Sequence, residues 1–396
     1  MSFVREQVAA YLAESAPTIS GLGSKTRRID YVDVSRGLLV LLMFVVHAAT
    51  PCTPSIRDPI QRLWILEIAT TGFAMMAGYT VGIRYDANTS LPQPRRLWKR
   101  CSEILIVMFW SNCLLGLGKL YFTRQPDAAM LTSWFLGLLT FRTEYNISGV
   151  LLPIALLLPL LPLIYATEKR IGKLGGLVWF AAIVSLMVML NQLTMENAVL
   201  EHVRNILLVG LGGFSVLAFI AYGILGFVNA RVLQVCQRMG WSFGVVVSAG
   251  VVLSSVMFAV VGSLATDGES GYVMRQWEDA MLPFVRSEVM FLAVIALGGL
   301  FAGWWSESLV IKPLRLLGTY ALCAFVFHRF VGQGLITSLH LQGGELGTFL
   351  LMLVVISSST YLLLGARQSI GGLDAGLKRL FLWRVVLCPS FGCHAA

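Results

Sequence analysis

Ten apolar runs, each about as long as a helix needs to be to cross a bilayer, govern what this chain can fold into. They lie over 34–50, 63–83, 99–120, 149–166, 176–193, 205–229, 241–264, 288–310, 317–338 and 346–366. A hydrocarbon core about 30 Å thick takes roughly 20 helical residues at ~1.5 Å each. Lipid offers the backbone no hydrogen bonds, so a spanning segment must satisfy its own. The expected fold is therefore all-α, a polytopic integral membrane bundle of about ten transmembrane helices. Composition agrees: 57% of the 396 residues are hydrophobic, only 13% are charged, and the mean hydropathy is +0.75. The chain divides into an N-terminal segment (1–30), a helical domain (31–366) and a C-terminal tail (367–396). The run over 131–141 is too short to cross and is expected at the interface or as a re-entrant piece.

Charge orients the bundle. With ten crossings and a cytoplasmic N-terminus, 21 of the 30 Lys and Arg fall on inner segments, while acidic residues divide nine inside to twelve outside. The positive-inside rule expects that bias, giving an N-in, C-in topology with segments 1–30 and 367–396 cytoplasmic. The formal charge of +9 then reflects topology. A nucleic-acid partner would need a concentrated basic face on a soluble domain, so none is expected. Residues 1–26 hold no continuous apolar core, hence no cleavable signal is expected, and 2–12 suits a short surface helix. The seven cysteines are scattered and imply no disulfide framework. Gly-rich phosphate loops, zinc-type Cys/His spacings and a Gly-x-Ser-x-Gly elbow are all missing. No metal and no permanently bound cofactor are therefore expected.

The first apolar run carries the chemistry. Asp33, Arg36 and His47 all sit on it, and an ionisable side chain kept in lipid marks a partner contact, a wet path or a reaction site. At about 100° per residue, Arg36 and His47, eleven positions apart, lie within roughly 20° of each other around the axis. Asp33 shares that side of the helix. Along the axis the two are about 16 Å apart, so one polar stripe joins the mouth of the helix to its interior. The bland readings are a topology anchor for Arg36 and a hydrogen bond between helices for His47.

Arg28, Asp33, Arg36, Gly37 and, eleven residues after the Arg, His47 resemble the opening helix of the membrane acyltransferase superfamily (acyltransferase family 3, including OpgC-type proteins that succinylate periplasmic glucans). Two further segments are similar to it. Gly72 to Gly82 resembles the second helix, with Tyr79 after Gly78, and is followed by the basic residues Arg84, Arg95, Arg96, Lys99 and Arg100. Its small residues suit close helix packing first of all. Gly318 to His328 resembles a late element that ends in His. Here Tyr320 stands ahead of the usual Ser, and Phe325 or Phe327 fills the aromatic slot. Counted along a straight helix from residue 317, His328 is expected about 16 Å deep, near the level of His47, with Arg329 a structural or interfacial charge.

The resemblance implies a multi-pass enzyme of the inner (plasma) membrane. It would move an acyl group, acetyl or succinyl, from cytosolic acyl-CoA as co-substrate to a hydroxyl of an envelope polysaccharide, glucan or lipid-linked sugar. The carbohydrate or glycolipid acceptor, the acyl-CoA and the lipid bilayer are the expected partners. In this reading Arg36 positions the donor, Asp33 orients Arg36 through an (i, i+3) ion pair, and His47 activates the acceptor as a general base. Whether His47 instead carries the acyl group covalently stays open. Arg84 and the basic residues after it suit the donor's phosphates, and His328 and Tyr79 would line the site. Glu144 and the loop over 266–288 are weaker candidates for carbohydrate contact, and Glu67 has no assigned role. The competing class is a transporter or flippase using the same stripe as a proton or ion relay. The internal repeats and matched broken helices that mark many transporters are missing.

Overall fold

Long apolar runs with few breakers leave the backbone one way to satisfy itself, and most of the described chain is helical. The computed structural model describes residues 30–369 except 62–63, 85–93, 125–126, 141–147, 174, 194–195, 209–214, 267–271, 305–307, 309–310 and 340–343. The helices are α1 (Asp30–Ala49), α2 (Pro54–Gln61), α3 (Trp64–Arg84), α4 (Pro94–Arg124), α5 (Ala128–Leu139), α6 (Ser148–Ile171), α7 (Gly175–Gln192), α8 (Ala198–Leu208), α9 (Val216–Arg238), α10 (Phe243–Thr266), α11 (Tyr272–Trp304), α12 (Ile311–Thr319), α13 (Ala321–Leu339) and α14 (Leu346–Ser369). Among the described residues there are no strands, only an isolated bridge between Cys52 and Gly344. It joins the end of α1 to the start of α14 through Thr53 N–H to Gly344 O, 2.8 Å.

Among the described residues, seven helices are long and apolar enough to cross a membrane, or eight if the bent pair α12 and α13 is one span. The expected crossings over 63–83 and 241–264 fall on α3 and α10. Leu253, Val354 and Leu362 expose 63%, 62% and 74% of their surface, as helices facing lipid rather than water do. The 12-residue α5 matches the short run expected at the interface. The expected run over 205–229 is divided, however. The helix restarts at Val216 behind the N-cap Ser215, whose Oγ accepts from Ala218 N–H and donates to Leu207 O, and runs on to Arg238.

α1 is the axis of the bundle and separates two apolar cores. Leu39 and Met43 join the larger, shared with α3, α6, α9 and α11, while Val40, Phe44 and Ala48 join a smaller one with α13 and α14. Two close crossings set the geometry. A Cβ on Gly37 would overlap the Leu314 carbonyl, and one on Gly318 would overlap that of Asp33, so α12 lies directly on the start of α1. Likewise Gly78 and Gly226 admit the backbone of the opposite helix between α3 and α9. The small-residue segment over 72–82 is thus a packing face, as small residues in membrane helices usually are. The five described cysteines are free, and burial pushes the Cys52 thiol up, keeping it protonated.

The straight helix expected over 317–338 needs correction. The chain turns by 93° between Thr319 and Ala321. Backbone bonds run on either side of the turn, Tyr320 N–H to Leu316 O and Ala324 N–H to Tyr320 O. The bend lets α12 press against the Arg36 end of α1 while α13 runs along its His47 end.

Candidate active site

At the start of α1, Arg36 is held from two sides. Its Nη1 donates to Asp33 Oδ1 at 3.3 Å, the (i, i+3) pair expected from the spacing. Its Nη2 donates to Thr80 Oγ1 on α3, and that hydroxyl donates in turn to Met76 O at 2.6 Å. Asp33 is buried and Arg36 half-buried. Tyr79 does not reach Arg36. Its hydroxyl pairs with Tyr31 at 3.1 Å, and its buried ring packs edge-on against Phe291. Arg84 ends α3 exposed, and its charge and that of Arg100 both act on Arg36. Arg100 also pairs with Glu103 at 2.9 Å.

The end of α3 that presents Thr80 and Arg84 is clamped from behind. Arg231 and Gln234 on α9 donate to Gly82 O, and Gln234 also to Ile83 O at 3.0 Å. These are carbonyls that a helix terminus leaves without partners. Arg231 also pairs with Glu168 of α6 at 3.2 Å, both side chains under 4% exposed, and sits over the rings of Tyr165 and Phe227. Such a pair contributes fixed geometry more than stability. Arg231 is one of the 21 basic residues counted on inner segments; only the fold brings it to α3.

At the other end of α1, His47 meets α13. Its ring lies 5.0 Å from that of His328, centroid to centroid. Arg329 Nη1 stands 2.9 Å from His47 Nδ1 and 3.3 Å from Nε2. His47 and Arg329 are half-buried, and His328 is wholly buried. Phe44 and Phe325 flank His328 at 5.3 and 5.7 Å. The straight-helix depth for His328 rested on a helix that bends, yet the two histidines do meet. Arg329, expected as an interfacial or structural charge, is the direct partner of His47. An Arg deep in an apolar run was the signal for it. Val40 and Met43, each 1% exposed, stand on the same side of α1 between Arg36 and His47. The stripe is therefore two polar centres with an apolar stretch between them. Arg28, Glu144 and the side chain of Glu67 lie outside the described residues. The loop expected over 266–288 is mostly helix: only 267–271 are undescribed there, and α11 begins at Tyr272 because its apolar run is continued N-terminally by good helix formers.

Taken together, an all-helical membrane bundle with an anchored Arg, a basic fringe and a pair of adjoining imidazoles, one of them wholly buried, defines a class: multi-pass membrane proteins equipped for group transfer. The family model for the acyltransferase domain matches residues 29–365, and the chain belongs to that family, acyltransferase family 3. It is an acyltransferase that transfers groups other than aminoacyl groups. A comparison with curated proteins gives no match.

Proposed function

We propose that the protein is an O-acyltransferase of the plasma membrane, N-in and C-in. It takes an acetyl or succinyl group from cytosolic acyl-CoA and delivers it to a hydroxyl of an envelope polysaccharide, glucan or lipid-linked sugar. The observation that carries this reading is the division of α1 into two centres. One is a cation held rigidly by Asp33 and Thr80 with Arg84 and Arg100 nearby, suited to the phosphates of a nucleotide thioester through charge-assisted bonds. The other is an imidazole pair with an adjacent guanidinium, suited to hydroxyl activation and to charge developing on a carbonyl oxygen. The apolar stretch between them, Val40 and Met43, suits the uncharged arm of a thioester donor better than an ion relay, which needs polar groups or water along its length. Burial of His328 also keeps bulk water from competing with the acceptor there.

The test is acyl transfer by the purified full-length protein in lipid nanodiscs, with labelled acetyl-CoA or succinyl-CoA and envelope glycans. Thioester consumption should depend on the acceptor, and His47→Ala should abolish transfer while the protein stays folded and membrane-inserted. Full activity in that variant, or substrate flux in liposomes without any acylation, would refute the reading.

A further inference from the structure

Hydrogen bonds around the two imidazoles give them different jobs. His328 Nδ1 lies 3.0 Å from Ala324 O. A carbonyl oxygen only accepts, so Nδ1 carries the hydrogen and Nε2 holds the lone pair. That Nε2 is buried without a hydrogen-bond partner among the described residues, on a side chain with 0% exposure. His47 is arranged differently. Arg329 Nη1 reaches both of its ring nitrogens, Nδ1 at 2.9 Å and Nε2 at 3.3 Å, so this contact does not fix the tautomer. In a neutral ring one of the two nitrogens carries a hydrogen and can donate it.

A buried polar atom left unpaired is costly and calls for an explanation. Phe44 and Phe325 pack against the His328 ring, and His47 stands on a third side, 5.0 Å away. What Nε2 lacks is a hydrogen-bond donor, and an acceptor hydroxyl arriving beside His47 is one. We infer that His328 Nε2, rather than His47, takes the proton of the acceptor hydroxyl, while His47 and Arg329 hold the acyl carbonyl. The inference rests on the acyltransferase reading above and deepens it.

The step balances. The hydroxyl O–H bond breaks, its proton passes to His328 Nε2, and the oxygen bonds to the thioester carbonyl carbon. The displaced electron pair moves onto the carbonyl oxygen, where the Arg329 guanidinium and the His47 N–H stabilise it. As the carbonyl re-forms, the C–S bond breaks and the departing thiolate takes the proton back from His328. Ester, free thiol and a neutral imidazole remain.

His328→Asn separates this role from a structural one. The Asn amide keeps a donor for Ala324 O but removes the lone-pair nitrogen. In nanodiscs, thiol release from acetyl-CoA or succinyl-CoA, with a gluco-oligosaccharide as acceptor, should fall by about 10²–10⁴. Binding of acyl-CoA should be unchanged. A second measurement uses the unmutated protein labelled with ¹⁵N-histidine. The pyridine-type nitrogen signal that vanishes in His328→Asn should move when the oligosaccharide is added. Wild-type turnover in His328→Asn overturns the assignment, and so does a signal that stays put under saturating acceptor. Either result leaves the acyltransferase reading standing on His47→Ala. If the unmutated protein transfers from neither thioester, that reading itself falls.

Discussion

The two ends of α1 are built on opposite plans. At the Arg36 end the partners are already in place: Asp33 and Thr80 hold the guanidinium, Met76 O holds Thr80, and Tyr31 holds Tyr79. Behind them Arg231 and Gln234 clamp the end of α3. At the His47 end Arg329 stands against both ring nitrogens of His47, while His328 Nε2 has no hydrogen-bond partner among the described residues. A cation held by two partners with N–H groups to spare is preorganised to bind, since part of its side-chain entropy is lost before the ligand arrives. An unfilled buried acceptor is costly at rest and is relieved only when substrate enters, which suits a place where bonds change. The contrast makes a kinetic claim: injuries at the first end should appear in KM for the donor, injuries at the second in kcat.

Arg329→Met should give the largest effect. It removes the donor that engages the His47 ring and the charge nearest the proposed carbonyl position. Loss of one such donor costs about 10²–10³ in kcat in comparable sites. Initial rates over a range of acyl-CoA concentrations should show that fall with little change in donor KM. A variant whose donor KM rises while kcat holds would move Arg329 into the binding end and dissolve the contrast.

Arg36→Met comes next and strikes the opposite parameter. Hydrogen bonds to charged groups are worth about 1.5–3 kcal/mol, so donor KM should rise roughly 10- to 100-fold. The rate at saturating acyl-CoA should stay near that of the unmutated protein. A collapse of kcat at every donor concentration would mean that Arg36 acts on the reacting atoms.

Much of this was legible from residue order, and what was hidden has physical causes. The Asp33–Arg36 pair follows from helical spacing alone, because residues three apart meet on one face. The crossings follow from the solvent: apolar runs in lipid are helices, and α5 is too short to be one. The turn at Tyr320 was not legible, since no Pro marks it. It accompanies the contact in which Gly318 lies on Asp33 and Gly37 on Leu314, and such a fit between distant segments leaves no local trace. Arg329 was read as an edge charge because its partner stands 282 positions away. Thr80 was hidden by its setting among Gly and Ala, where packing is a sufficient explanation. Its second role needs the antiparallel approach of α3 to α1.

Thr80 also offers the finest test of the contrast. Its hydroxyl accepts from Arg36 and donates to Met76 O, so the side chain aims the guanidinium without being expected to touch the donor. Thr80→Val keeps the shape and β-branching and deletes only the oxygen. Arg36 retains Asp33, so a single neutral partner is lost, worth about 0.5–1.5 kcal/mol and therefore a roughly 2- to 10-fold rise in donor KM. The rate with saturating acyl-CoA should not change, because nothing near His47, His328 or Arg329 has moved. Combining Thr80→Val with Arg36→Met sharpens the point. If Thr80 works only through Arg36, the double variant should match Arg36→Met in KM, as coupled residues do in a double-mutant cycle. Effects that add instead would give Thr80 a contact with the donor of its own, and the Arg36 end would then be a wider surface than one aimed cation.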